Sequence, residues 1–147
     1  MSKSEKIIVA GAGLVGCAMA IALKQKGFDV ELIEKRPDPR AQDLSSGRSI
    51  NLIVTAKAIN LFQNLGIWDA VREITVPVYG RMMHSTSGEL TYQPYGRDDS
   101  EFNNSISRGM MNNLLLDKVE EFGVPVHFDK PISEIDLKGK KLKFENG

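Results

Sequence analysis

The chain has 147 residues, 41% of them apolar and 26% charged, with 19 basic side chains against 19 acidic ones. A chain this long buries roughly 70% of its unfolded surface, enough for a core without staples, and the single cysteine, Cys17, excludes an internal disulfide and any CxxC metal or redox motif. Zero net charge, with no basic run longer than Lys138–Lys141, argues against nucleic acid or an anionic membrane as partner. No stretch approaches the ~20 apolar residues of a membrane span, and the first six residues lack a signal core or an Arg-rich leader, so a cytoplasmic protein is the expectation.

Lys6–Ala10 is a continuous apolar run, as in a strand covered on both faces. A helix over Leu14–Lys26 follows, with Val15, Met19, Ala22 and Leu23 on one side and Gly27 as its stop. Phe28–Ile33 reads as a second strand ending at Glu34. A polar loop from Arg40 to Arg48 leads to a short strand, Ser49–Val54, and Thr55 caps a helix whose face is Ala58, Leu61, Phe62 and Leu65, closed by Gly66. Pro77–Ser85 and Glu89–Pro94 are strand-like and read as a hairpin, Asn104–Ser107 is extended, and Met110–Phe122 is helical. Val124–Phe128, Ile132–Leu137 and Lys141–Phe144 alternate as strands, and Met82, Met83, Met110 and Met111 are expected in the core. The last residues, Asn146-Gly147, form the commonest tight hairpin turn with no returning strand, which predicts a sequence cut from something longer.

The chemistry concentrates in the first 34 residues. Gly11-x-Gly13-x-x-Gly16 lies between a predicted strand and a predicted helix, the context that a bare motif match lacks. Gly11 permits the tight turn, Gly13 lets backbone approach a pyrophosphate, and Gly16 allows close helix–strand packing. The helix start then offers free N–H groups and a positive dipole end to phosphates. Glu34, at the end of the second strand, can accept both ribose hydroxyls, and its charge disfavours a 2′-phosphate. A glycine turn that serves packing alone is the bland alternative. A classical NAD domain would proceed quickly into a third βα unit. The long excursion and the antiparallel hairpin favour FAD, whose longer body needs extra walls.

The glycine motif with Glu34-Lys35-Arg36, the segment Gly47-Arg48-Ser49-Ile50-Asn51-Leu52, the segment Arg81-Met82-Met83-His84-Ser85, Pro94-Tyr95-Gly96 and Ser107-Arg108 occur in one order. Together they resemble the kynurenine 3-monooxygenase family of FAD-dependent aromatic hydroxylases. The resemblance implies an α/β fold: a Rossmann-like FAD-binding domain with a parallel sheet, an antiparallel β-meander and an inserted hairpin, truncated here. Residues 1–147 would be the N-terminal part of that domain, with 77–97 the beginning of the substrate-binding sheet and the C-terminal remainder absent. It implies bound FAD, NADPH as reductant, and L-kynurenine hydroxylated with O2 at ring position 3. Gly11, Gly13, Val15 and Gly16 match the pyrophosphate loop, and Glu34, Lys35 and Arg36 the adenosine-ribose end. Arg48 and Ile53 fall in a flavin-adjacent segment, Arg108 resembles an arginine that reaches FAD, and Ile132 an adenine-side position. Arg81 and Tyr95 match a pair that grips the kynurenine carboxylate. No residue carries a catalytic role in this portion, since the hydroxylating atom belongs to the cofactor. Later segments of the family that line the flavin are missing, so the chain alone is expected to be inactive. An NAD-dependent dehydrogenase and a non-catalytic dinucleotide-binding module remain the alternatives.

A planar arginine fork binds a carboxylate bidentately, and a tyrosine adds a neutral donor. A surface arginine and a strand-end tyrosine are the alternative. Sharing one carboxylate requires that both side chains leave the same face of the hairpin. A four-residue loop would pair Arg81 with Tyr92 and put Tyr95 opposite. A three-residue loop, Thr86-Ser87-Gly88, pairs Arg81 with Gln93 and keeps Tyr95 on its face, and Gly88 suits it. An odd-length loop or a compensating bulge is therefore predicted. His84 and His127 stand apart with no acidic cluster at ligand spacing, so no metal site is expected. Cys17 reads as a packing residue, and Asp98, Asp99 and Glu101 as a solvated loop.

Overall fold

Strand β1 (Lys6–Ala10), helix α1 (Leu14–Gln25) and strand β2 (Asp29–Ile33) form a parallel βαβ unit, with Lys6 opposite Asp29 and Ala10 opposite Ile33. The structure, a computed structural model, describes residues 6–41 and 50–145. It comprises two units, Met1–Arg48 with Asn112–Gly147, and Ser49–Met111. Arg48 and the Asn146-Gly147 turn lie outside the described residues.

In the first unit β2 also pairs in parallel with β8 (Val126–His127), giving the order β1-β2-β8. Val30 and Leu32 of β2 are fully buried, as are Leu115, Leu116 and Val119 of helix α4 (Arg108–Glu121). Helix α1 buries a different face from the one its apolar spacing suggests. Cys17, Ala18, Ala20 and Ile21 are buried, whereas Val15 is 79% exposed and Met19 51%. The reason is bulk. A Cβ on Gly16 would overlap the Gly11 carbonyl oxygen, so the start of the helix lies against the strand on Gly16 and the small residues Cys17 and Ala20, with Ile21 following them. The larger stripe is equally apolar but would hold the two apart. Gly27, at φ +85°, ends the turn after α1, where a left-handed backbone suits glycine. The expected antiparallel meander is present among the described residues as one hairpin, β9 (Ile132–Asp136) with β10 (Lys141–Phe144).

In the second unit β7 (Asn103–Ser107) lies between β3 (Asn51–Val54) and β4 (Val76–Val78), antiparallel to both. Helix α2 (Ala56–Asn64) starts as expected, with the Thr55 hydroxyl accepting from the Ala58 N–H at 3.4 Å. Helix α3 (Trp68–Glu73) escapes sequence reading because six residues are too few to set a period, although Ile67 and Val71 are buried.

The run expected as one strand over Pro77–Ser85 is two. Its first part, β4, belongs to the β7 sheet, and β5 (Gly80–His84) pairs with β6 (Leu90–Pro94). Gly80 stands after the break, where the Tyr92 ring and the Gln93 carbonyl occupy the space a Cβ would need. The methionine expectation also fails in part: Met111 is buried, but Met110 is exposed on the first turn of α4, and Met82 and Met83 are exposed on β5, whose sheet has only two strands among the described residues.

The hairpin loop has the odd length that the parity argument requires. Ser85 donates its N–H to the Glu89 carbonyl at 2.9 Å, leaving Thr86-Ser87-Gly88 as the loop, with Gly88 at φ +86°. Arg81 is opposite Gln93, and the Tyr95 N–H donates to the Tyr79 carbonyl at 2.8 Å, continuing the same register past Pro94.

Replacing Gly16 by alanine should force α1 off β1. We expect a lower urea midpoint, corresponding to about 1–3 kcal/mol as in other overpacked cores. An unchanged midpoint would show that the loop yields without cost.

Candidate functional site

The glycine loop is built by the backbone of its two flanking strands. Gly11 sits at φ +105° and donates its N–H to the Ile33 carbonyl at 2.7 Å, which joins the end of β1 to the end of β2. Gly13 caps α1 without a side chain, and no acidic residue occupies the first turn. A Cβ on Gly13 would meet nothing within 4 Å, so packing does not explain this glycine. It leaves the helix start open, with the unsatisfied N–H groups of a first turn and the positive end of the dipole behind them. Val15, exposed beside this opening, belongs to the same turn. That combination fits a pyrophosphate.

Glu34 follows β2 and is 7% exposed. Its Oε2 accepts from the Ala12 N–H at 2.9 Å, and Oε1 accepts from the Arg36 N–H and Nε, both at 3.1 Å. Burial pushes the carboxyl up, but the Ala12 and Arg36 N–H groups and the Arg36 guanidinium outweigh it and hold it below the usual carboxylate range. The sequence marks Glu34 as an acceptor for ribose hydroxyls. The structure adds that it also fixes the glycine loop. With three protein donors on two oxygens, the carboxylate retains acceptor capacity for a ligand hydroxyl.

Lys35 and Arg36 are exposed next to it. Ile132 opens β9 shortly after Lys130, whose N–H donates to the Glu34 carbonyl at 3.0 Å, and the Asp129 N–H donates to the Arg36 carbonyl at 3.2 Å. The chain leading into Ile132 therefore runs along Glu34–Arg36, and the first unit brings the glycine loop, Glu34 and this segment together.

In the second unit Ile53 is exposed on β3 opposite Ser105, and the Arg108 N–H donates to the Ile50 carbonyl at 3.2 Å. Arg81 and Tyr95 share one face of the β5–β6 hairpin by register, and both are exposed.

Arg40 was not singled out by the sequence. Its guanidinium donates to Asp38 at 2.7 Å, Asp117 at 2.8 Å and Glu120 at 2.7 Å, and it stands 5.9 Å from the centre of the Phe128 ring. It fastens the loop after β2 to α4. Its partners lie 77 and 80 positions away, so no local pattern could reveal them. Cys17 is buried, and burial pushes its thiol up to about 12, as befits a packing residue.

Two outcomes follow from these contacts. In Glu34→Gln the amide NH2 must face either the Ala12 N–H or the two Arg36 donors, so the glycine loop or the Arg36 segment loses its acceptor. Charged hydrogen bonds contribute about 1.5–3 kcal/mol, so flavin release, followed by fluorescence, should rise about tenfold or more; unchanged release would sink the assignment. Arg40 holds the Asp38 and Glu120 carboxyls below their usual range. Lowered carboxyl pKa values contribute stability above the unfolded-state range, about pH 4–4.5, that is lost as pH falls through the lowered values. Arg40→Leu should therefore flatten the acid limb of a stability–pH profile, and an equally steep limb would exclude the cluster as its source.

Comparison with known proteins bears on this arrangement. A family model described as FAD binding domain matches residues 4–143. The chain is 38% identical over 137 residues to the kynurenine 3-monooxygenase of Myxococcus xanthus (strain DK1622), covering 92% of this chain and 30% of that protein. It is 40% identical over 143 residues to the kynurenine 3-monooxygenase of Legionella pneumophila (strain Corby), covering 97% and 32% respectively. Among solved structures, the tetrameric form of 2-methyl-3-hydroxypyridine-5-carboxylic acid oxygenase superposes with a TM-score of 0.76 at 25% identity, covering 99% of this chain and 37% of that one. The chain thus spans about a third of the length of the relatives it matches, and no helix of the described residues is long and apolar enough to cross a membrane. With the open helix start and the buried carboxylate beside it, these matches establish that the chain belongs to the FAD binding domain family and that FAD is its cofactor.

Proposed function

We propose that this chain is the N-terminal part of a flavin-dependent monooxygenase that uses NADPH and O2 to hydroxylate L-kynurenine to 3-hydroxykynurenine. In this reading residues 1–147 form the first part of the FAD-binding domain, and 77–97 open the substrate-binding sheet. The observation that carries it beyond a generic flavoprotein is the hairpin register, which puts Arg81 and Tyr95 on one face. The relatives' names supply the substrate class.

The roles of the chain's own residues follow from their chemistry. The N–H groups at the start of α1, reached across Gly11, Gly13, Val15 and Gly16, bind the pyrophosphate. Glu34 accepts from the adenosine ribose, with Lys35 and Arg36 beside it and Ile132 on the adenine side. Arg48, Ile53 and Arg108 serve the flavin end of the cofactor. Arg81 forks onto the kynurenine carboxylate while the Tyr95 hydroxyl donates to the same group, and holding that end orients the ring. FAD, when bound and reduced, supplies the oxygen-activating chemistry, and the protein contributes position and exclusion of water.

The decisive experiment uses the full-length flavoprotein: L-kynurenine, NADPH and air, with 3-hydroxykynurenine followed by chromatography. Flavin absorbance without that product would leave a flavoprotein of another substrate; absence of flavin would favour a nicotinamide-dependent dehydrogenase or a non-catalytic binding module. Arg81→Ala should keep its FAD and raise the KM for L-kynurenine by tenfold or more, because a carboxylate loses a charged, bidentate partner worth about 1.5–3 kcal/mol. Loss of flavin with unchanged KM would instead move Arg81 to the cofactor site.

A further inference from the structure

Gln93 stands directly across the hairpin from Arg81, and the Arg81 Nε donates to Gln93 Oε1 at 2.8 Å. A guanidinium only donates, so the atom facing it is the amide oxygen and the amide NH2 turns away. The bond engages the nitrogen nearest the side-chain stem. It fixes the plane of the fork while both Nη groups stay without a hydrogen bond or ion pair to the described residues.

The neutrality of this partner sets it apart. Arg36, Arg40, Arg72 and Arg97 each pair with a carboxylate: Glu34, the Asp38–Asp117–Glu120 group, Asp69 and Glu101 respectively. Arg81 is oriented by an uncharged acceptor, which restrains the guanidinium without neutralising it. A restrained, uncompensated fork is what an incoming carboxylate requires, since less side-chain freedom is lost on binding.

We infer that Gln93 is a positioning residue for the substrate carboxylate, acting through Arg81 Nε to present both Nη groups. The inference rests on the reading of Arg81 as the carboxylate anchor. Gln93→Leu frees the fork while preserving size. Gln93→Glu keeps the acceptor but supplies a competing negative charge.

The test measures KM and kcat for L-kynurenine in the full-length holoenzyme for Gln93→Leu, Gln93→Glu, Arg81→Ala and the double variant Arg81→Ala/Gln93→Leu. Dissociation constants for L-kynurenine and its decarboxylated analogue are read from flavin absorbance. Gln93→Leu should raise KM about fivefold with kcat and flavin content little changed, the loss expected for one hydrogen bond, and Gln93→Glu should raise it further. In the Arg81→Ala background Gln93→Leu should add nothing, and the decarboxylated analogue should bind both parent and Gln93→Leu equally. If Arg81→Ala raises KM while Gln93→Leu does not, the positioning role falls and the anchor stands. If Arg81→Ala itself leaves KM unchanged, the anchor falls and the inference with it. An equal loss with the decarboxylated analogue, or an additive loss in the double variant, would overturn the inference in favour of a purely structural role for Gln93 in the hairpin.

Discussion

The hydrogen bond from the Ala12 N–H to the Glu34 carboxylate joins two requirements that dinucleotide sites must meet together. A glycine loop open enough to admit a pyrophosphate has few side chains to hold it in shape. Here the restraint comes from outside the loop, through one carboxylate oxygen and through the Gly11 N–H bonded to Ile33. Arg36 engages the other oxygen, and the chain from His127 to Lys130 runs alongside, its carbonyl and N–H groups bonded to residues 34 and 36. The first unit can be understood as a set of contacts that keep this one buried acid ionised and correctly aimed. Its burial would be unfavourable without the donors around it.

The strand, glycine turn and helix at the start of the chain were legible in the sequence because their constraints are local. Gly11, Gly13 and Gly16 act within one turn, and the strand on either side declares itself by apolar content. The inward face of α1 was not legible, because two apolar stripes compete on that helix and the choice between them is steric. Gly16 decides it through a contact with Gly11 that hydrophobicity does not encode. The division of β4 from β5 was hidden for a related reason. Pairing partners, β7 for one and β6 for the other, determine where a continuous extended run changes sheets.

Long-range polar contacts form the remaining blind spot. Arg40 reads as one more loop arginine until α4 brings Asp117 and Glu120 to it. Gln93 reads as an ordinary strand residue until the register sets it across from Arg81. The parity of that register follows from Gly88 and the loop length, whereas the Nε–Oε1 contact depends on side-chain conformations that no sequence pattern encodes.

Gly88 itself lies well along the chain from Arg81 and Tyr95, at the tip of the hairpin. Its left-handed backbone is what makes a three-residue loop comfortable, and that loop length determines which residue meets Arg81. A side chain at this position would favour a neighbouring register, and a slip of one residue turns every side chain of β6 to the opposite face. The face that Arg81 and Tyr95 share is therefore vulnerable at a position distant from both along the chain. A substitution at Gly88 would act on Arg81 and Tyr95 together, through their pairing rather than through contact.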